Sequence, residues 1–343
     1  LAWKWIKIKD PFKEEKDMFT FDKQTLDGTG AFYVGELERL DQTLHMPLVD
    51  VTWNRDIDLR EDVSMVDETS SFTNSTFAAA GGLNSSGKNW IGKVSNAIPG
   101  MGVDIGKTAN ALYPWGLEVA YTILELLSAQ KVGRPIDEQK YQGMKFKWNM
   151  DVDEQVYIGD SGLGVYGLVN NTAKVTTGFV DSNAGGTSRE WTSKTPAEIL
   201  GDVNALLTAA WAAAGYAVCP TKLLLPPLQF GWIVTQTVST AGNISILQYL
   251  KKNSICMEKN GKELDIQPLK WLVGRGEAAG SPSTATDRMV CYTQDKNRVR
   301  FPLVPIQRTP LEYRSLFQCV TYFGKLGVLE LVYPEVIRYA DGL

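Results

Sequence analysis

The chain has 343 residues, 44% hydrophobic and 22% charged, the composition of an ordinary soluble protein with length for about two domains and a large core. Thirty-five Lys and Arg against 39 Asp and Glu give a formal net charge of −4, which argues against a dedicated nucleic-acid binder but leaves room for a local basic patch. No apolar run approaches the ~18–20 residues of a membrane helix, because Lys222 and two prolines interrupt the stretch around Leu223–Leu225; Lys4, Lys7 and Lys9 likewise break up any secretory core.

Residues Leu1–Gly30 read as an arm. The sequence begins at Leu1 rather than Met, as expected if its start is omitted or was removed by proteolysis. Trp3, Trp5, Ile6 and Ile8 interleave with Lys4, Lys7 and Lys9 before Asp10-Pro11 ends the pattern. Aromatic residues among lysines suit single-stranded nucleic acid; the preferred reading is an extended arm laying its tryptophans on a neighbouring surface. Phe32–Met46 predicts a short helix, with Leu37, Leu40 and Leu44 at helical spacing.

Val49–Arg60 alternates, with Val49, Val51, Trp53, Ile57 and Leu59 on one face and Asp50, Thr52, Asn54, Asp56 and Asp58 on the other, which predicts a long strand. Glu61–Pro99 is rich in Ser, Thr, Asn and Gly and offers little core. A long strand entering such a segment predicts a projecting β-ribbon, which needs covering by another subunit. Glu118–Ala129 is apolar enough to be buried. Pro135 suits the first position of the next helix, which should run to about Tyr157 with Ile136, Lys140, Met144, Trp148 and Val152 on one stripe. At 1.5 Å per residue it is roughly 30 Å long.

That helix ends in Gly159–Asn170, which has four glycines in nine residues. Gly162, Gly164 and Gly167 match G-x-G-x-x-G, and Asp181 follows at about the ~20-residue spacing of a ribose-binding acid. The match fails on context. A dinucleotide fingerprint opens a helix, whereas Leu168–Thr177 is rich in β-branched residues and Asn and reads as turn and strand. The segment is therefore read as a structural joint built on Gly159, Asp160, Gly162, Gly164, Gly167 and Asn170.

Pro196–Ala214 is the clearest helix: Thr195 is its N-cap, Glu198 the capping-box partner and Gly215 its end. Thr221–Leu225 reads as a buried strand stopped by Pro226-Pro227, and Asn243 as the cap of a helix to about Lys252. Arg288–Thr293 and Arg298–Val304 flank a polar turn at Asp295–Asn297, and Leu316–Phe323 and Gly327–Tyr333 flank Gly324–Leu326. There is no internal repeat.

Catalytic and binding motifs are near misses. Gly82–Asn89 has G-x-x-x-x-G-K spacing but places Asn89 where a Mg²⁺-ligating hydroxyl belongs; Gly106-Lys107-Thr108 has Met101 in place of the first glycine. His45, the only histidine, falls at a predicted helix end, where a solvated or capping role fits. Asp151, Asp153 and Glu154 lack calcium-loop spacing and read as a solvated helix face. Cys219, Cys256, Cys291 and Cys319 are too widely spaced for a zinc site or a small disulfide framework and read as buried free thiols.

In its order of elements the chain resembles the major capsid proteins of tailed bacteriophages, of the Hong Kong 97-like fold shared with bacterial encapsulins. The resemblance covers essentially the whole chain. It rests on Gly159-Asp160 … Gly167-Leu168-Val169-Asn170 after a long helix, on the capped helix Thr195–Ala214 followed by Lys222-Leu223-Leu224-Leu225-Pro226-Pro227, and on Gly327-Val328-Leu329-Glu330-Leu331 … Pro334. It is most similar to a branch long catalogued as a domain of unknown function.

The resemblance implies an α+β fold with an N-arm (1–35), an extended E-loop ribbon (47–103), a peripheral domain (104–169 and 311–343) with a spine helix (135–157), and an axial domain (170–310). It implies a non-enzymatic shell subunit without cofactor or metal, assembling with itself as hexamers and pentamers around double-stranded DNA, with portal, scaffold and decoration proteins as further partners and no membrane. Its location would be the virion head, and the host cytoplasm during assembly. Trp3 and Trp5 of the arm, and Val51, Trp53, Ile57 and Leu59 of the ribbon, would contact neighbouring subunits. No Lys–Asn crosslinking set is matched. Encapsulin-type shells are the alternative within the fold, and a soluble nucleotide- or phosphate-binding enzyme using the Gly162–Gly167 loop the alternative outside it.

Overall fold

The computed structural model describes residues 47–79, 89, 93, 100–132, 136–238 and 244–343. The arm with Trp3 and Trp5, the helix expected over Phe32–Met46, His45 and the segment 82–88 lie outside the described residues. The chain divides at Asp50 into two units, and Val51–Leu343 holds the elements that follow.

In place of one strand over Val49–Arg60, the chain forms a one-turn helix α1 (Trp53–Asp56) and then β1 (Asp58–Arg60). The cause is a distant carboxylate. Buried Asp153 accepts the amides of Thr52 at 2.9 Å and Trp53 at 3.0 Å, which diverts them from any strand partner. Asp56, assigned to the solvent face by the alternation, is fully buried and pairs with Arg55 at 2.7 Å and Lys222 at 3.1 Å. Ile57 is buried in the main core with Trp53 and Leu59 packed against it, and Val51 is half-buried. These four side chains are thus not on the ribbon.

The ribbon forms later, from the antiparallel strands β2 (Thr69–Ala79) and β3 (Met101–Ala111), in register from Thr69 opposite Ala111 to Ala79 opposite Met101. Next come β4 (Tyr113–Thr122) and α2 (Ile123–Val132). The run Glu118–Ala129, expected to be buried, is split between them, and Leu124 and Leu127 on α2 are 66% and 57% exposed. Helix α3 (Ile136–Tyr157) follows the predicted stripe: Met144, Trp148 and Val152 are buried, Ile136 and Lys140 half-buried.

After β5 (Thr177–Phe179), helix α4 (Pro196–Ala213) opens on the predicted Thr195–Glu198 capping box. Fully buried β6 (Lys222–Leu225) leads into α5 (Pro227–Thr235), α6 (Ile246–Asn253) and α7 (Ile255–Asn260). The Pro226-Pro227 pair thus starts a helix as well as stopping a strand. The cap of α6 is Ser245, whose hydroxyl accepts the Gln248 amide at 3.3 Å; Asn243 lies outside the described residues. The remaining strands are β7 (Asp265–Pro268), β8 (Gly276–Ala278), β9 (Ser281–Thr286), β10 (Arg288–Tyr292), β11 (Val299–Arg308), β12 (Glu312–Arg314), β13 (Phe317–Leu326), β14 (Glu330–Leu331) and β15 (Ile337–Asp341).

A six-stranded sheet runs β1-β11-β13-β12, with β4 also on β13 and β14 on β11; a five-stranded sheet runs β5-β15-β10-β6-β7. The segments flanking Asp295–Asn297, β10 and β11, therefore belong to different sheets. Gly324–Leu326 is no turn but the end of β13, where a Cβ on Gly324 would lie 2.7 Å from Trp148. The sheets also cut across the domain boundary expected at 310/311: β11 joins the six-stranded sheet, and C-terminal β15 the five-stranded one. Alternate residues of β10 serve two cores. Val290 and Tyr292 face the core shared with α3, and Met289 and Cys291 face the core under α4.

Candidate functional site

All six residues predicted for the glycine joint fall in one loop that folds back along the last turn of α3. The amides of Leu168, Val169 and Gly167 donate to the carbonyls of Val156 at 2.9 Å, Tyr157 at 3.0 Å and Ile158 at 3.0 Å. These are carbonyls that a helix end leaves unpaired. Asn170 locks the return: its Oδ1 accepts the Gly167 amide at 2.8 Å and its Nδ2 donates to the Ile158 carbonyl at 2.7 Å. Asp160 accepts the Gly162 amide at 2.8 Å through Oδ1.

The glycines are unequal. Gly159 has φ +75°, and a Cβ there would lie 2.4 Å from the Val165 oxygen; a Cβ on Gly167 would lie 2.2 Å from the Tyr157 carbonyl carbon. Gly162 has neither constraint, its nearest neighbour being Asp160 Oδ1 at 3.2 Å.

The loop sits at the carboxyl end of α3, where the helix dipole is negative. Beside it a cleft of about 660 Å³ is lined by Asp151, Glu154 and Asp160 together with Arg275. Phosphates seek the opposite pole of a helix, so the G-x-G-x-x-G match stands where a dinucleotide would be repelled. Gly106-Lys107-Thr108 lies inside β3, paired with Phe72–Asn74, and forms a strand rather than a phosphate-cradling loop.

The acidic cluster is not a solvated face throughout. Asp151 accepts from Trp115 Nε1 at 2.8 Å and from Lys147 at 2.6 Å. Buried Asp153 takes Trp271 Nε1 at 2.7 Å besides its two backbone amides, with Lys270 at 3.5 Å. A second network, unforeseen in the sequence, joins buried Asp56 and Lys222 to the partly exposed Asp265: the Lys222 ammonium is 3.1 Å from each carboxylate. Tyr157 donates its hydroxyl to Asp56, and burial with that neighbouring charge pushes its phenol far above the usual range. Lys222 interrupting an apolar strand was the available signal, since a buried ammonium requires partners. Among the described residues no group of three or more His, Cys, Asp and Glu side chains is placed to hold a metal ion, and no helix is long and apolar enough to cross a membrane.

The ribbon is amphipathic in an unusual sense. Phe77 stands opposite Val103, so it shares a face with Met101, Val103 and Ile105. These four apolar side chains are 56–68% exposed. Fully buried Glu330 secures the ribbon's base, accepting the Ser70 hydroxyl, Arg60 at 3.3 Å and Arg300 at 2.7 Å. A second exposed apolar group gathers where β4 passes into α2. The Ile123 amide bonds the Leu316 carbonyl at 3.0 Å, and Phe317 pairs with Thr122, bringing Leu316 and Phe317 beside Ile123 and its helix. Two uncovered apolar surfaces on one chain are the signature of an interface.

The model of the family described as major capsid protein matches residues 87–343. Among solved structures, the chain is similar to the capsid of the Myoviridae phage XM1, with TM-score 0.71 and 14% identity over 92% of this chain and 99% of that one. It is also similar to the capsid of native GTA particles, with TM-score 0.59 and 7% identity over 93% and 98% of the two chains. The capsid of the cyanophage P-SCSP1u gives TM-score 0.57 and 12% identity over 94% and 98%. At these identities the likeness establishes the α+β fold. No curated protein sequence matches the chain.

Proposed function

The chain belongs to the major capsid protein family and is a subunit of a capsid shell, and from that premise we propose that it assembles as hexamers and pentamers into an icosahedral head around double-stranded DNA. The observation that carries the reading is the exposed apolar face of the ribbon at Phe77, Met101, Val103 and Ile105. A two-stranded ribbon of this kind gains little stability alone. Laid on the next subunit, it buries that face and ties capsomers together. The apolar group at Leu124, Leu127, Leu316 and Phe317 serves a second contact between copies.

The net charge of −4 suits loose, non-specific contact with packaged DNA rather than sequence-specific binding. Arm, spine helix and axial region keep the roles the resemblance implies, and the Gly159–Asn170 loop is the joint that sets the spine helix against the sheets. Assembly takes place in the host cytoplasm, with portal, scaffold and decoration proteins as partners, and the subunit works without enzymatic activity.

Negative-stain microscopy of the purified chain tests the assembly. Closed shells with fivefold and sixfold capsomers are expected; a population confined to 38.0 kDa particles across concentrations and salts would overturn it.

A further inference from the structure

We propose that Cys219 and Cys256 are a disulfide-forming pair, closed within one subunit by exchange with a low-molecular-weight disulfide once the chain meets oxidising surroundings. Cys219 precedes β6 and Cys256 lies in the first turn of α7, 37 residues away. Their Sγ atoms lie 2.6 Å apart, well inside the separation of two unbonded sulfurs. A disulfide spans about 2.05 Å, so closure needs only a small side-chain adjustment.

Contacts independent of the sulfurs hold the two backbones in place. Ser254 caps α7, its hydroxyl accepting the Met257 amide at 3.3 Å. Asn260, one turn beyond Cys256 on the same helix face, donates to the carbonyls of Cys219 at 3.3 Å and Pro220 at 3.4 Å. Thr293 donates its hydroxyl to the Cys219 carbonyl at 3.4 Å. The other thiols are placed differently. Cys291 Sγ points at the Leu206 carbonyl at 4.0 Å, and Cys319 lies on β13 in the other sheet.

The reaction balances as two exchanges. One protein thiolate attacks a sulfur of oxidised glutathione, forming a mixed disulfide and expelling one glutathione thiolate. The second protein thiolate then attacks the protein sulfur of that mixed disulfide and expels the other. Two protein thiols are oxidised, one glutathione disulfide is reduced to two thiols, and the two protons pass to these. Burial raises the pKa of both protein thiols, so exchange proceeds while α7 is transiently open or still folding, and refolding then shields the bond. A shell that leaves a reducing cytosol for oxidising surroundings gains a covalent staple there.

The full chain is incubated with oxidised glutathione, and in a parallel arm refolded from urea in the same buffer so that access is not limiting. Free thiols are blocked with iodoacetamide in denaturant, disulfides reduced, the released thiols labelled with N-ethylmaleimide, and peptides read by mass spectrometry. The expected result is N-ethylmaleimide on Cys219 and Cys256 in equal amounts and iodoacetamide on Cys291 and Cys319. Cys291→Ser should keep the crosslink and Cys256→Ser should lose it. Iodoacetamide on all four cysteines in the refolded arm, glutathione retained on single cysteines, or a Cys219–Cys291 bond would overturn the proposal. The bond lies within one subunit, so the result is the same on shells or on dissociated chains and does not depend on assembly.

Discussion

The methyl that alanine would place on Gly167 falls 2.2 Å from the carbonyl carbon of Tyr157 and 2.3 Å from its oxygen. Both atoms belong to the last turn of α3, and the Tyr157 carbonyl is also held by the Val169 amide at 3.0 Å, so neither can yield cheaply. Gly167→Ala should therefore destabilise the subunit by at least about 1–3 kcal/mol, the range of overpacking in a fixed environment. Gly162→Ala should stay within about 0.5 kcal/mol, as an ordinary surface change does. Urea unfolding of the two variants checks the contrast; similar midpoints would remove the loop as a constrained joint.

At the base of the ribbon, Glu330→Gln keeps the shape of the side chain and removes the charge that Arg60 and Arg300 share. Breaking a buried pair costs about 3–5 kcal/mol. The two arginine side chains are 18% and 21% exposed, so water recovers part of that; the expected loss is about 1–3 kcal/mol. It should be local. Limited proteolysis should cut within 69–111 faster than in the wild type while the rest of the chain stays resistant, and an unchanged cleavage rate would refute the anchoring role.

What was legible in the sequence was local. The α3 stripe and the Thr195–Glu198 capping box follow from spacings of three and four residues, and both stand in the structure. The sequence points to a ribbon over 47–103, and the paired strands form at Thr69–Ala79 and Met101–Ala111. The alternation in Val49–Arg60 has the right period, yet Asp153, about a hundred residues away, captures the Thr52 and Trp53 amides and turns the chain into α1. Buried charges were hidden for the same reason. Asp56 and Asp153 look like solvent-facing carboxylates until the fold brings them Lys222 and Trp271, and nothing local marks Glu330 as the partner of Arg300. The sheet exchange of β11 and β15 is set by long-range pairing that no local pattern encodes.

The ribbon's apolar face separates folding from assembly. Val103 is 56% exposed, so Val103→Asp should leave the subunit's unfolding free energy within about 0.5 kcal/mol of wild type. The same carboxylate, desolvated against a neighbouring copy, opposes association. Sedimentation velocity should show the variant held as free subunits or small oligomers at concentrations where the wild type forms shells. Normal shells from Val103→Asp would move the inter-subunit contact off this face.

The last prediction concerns pH. The Glu198 carboxylate accepts the Thr195 hydroxyl at 2.7 Å, the Ala184 amide at 2.5 Å and the Thr195 amide at 2.6 Å, and these bonds lower its pKa from 4.5 to about 2. A carboxylate with a depressed folded-state pKa contributes stability that is present above its unfolded value and fades as pH falls through the folded one. The contribution should therefore be complete above about pH 4.5 and lost by about pH 2. Glu198 is half-buried at the surface, and the solvent that still reaches it keeps the effect modest. Glu198→Gln cannot titrate, and its stability should be less sensitive to acid over that window. Urea midpoints of dissociated wild-type and variant subunits, at about pH 6 and about pH 3, give the comparison. The wild type should lead at the higher pH and the gap should narrow at the lower one; a gap that stays constant or widens in acid would show that the capping box does not depend on the Glu198 charge.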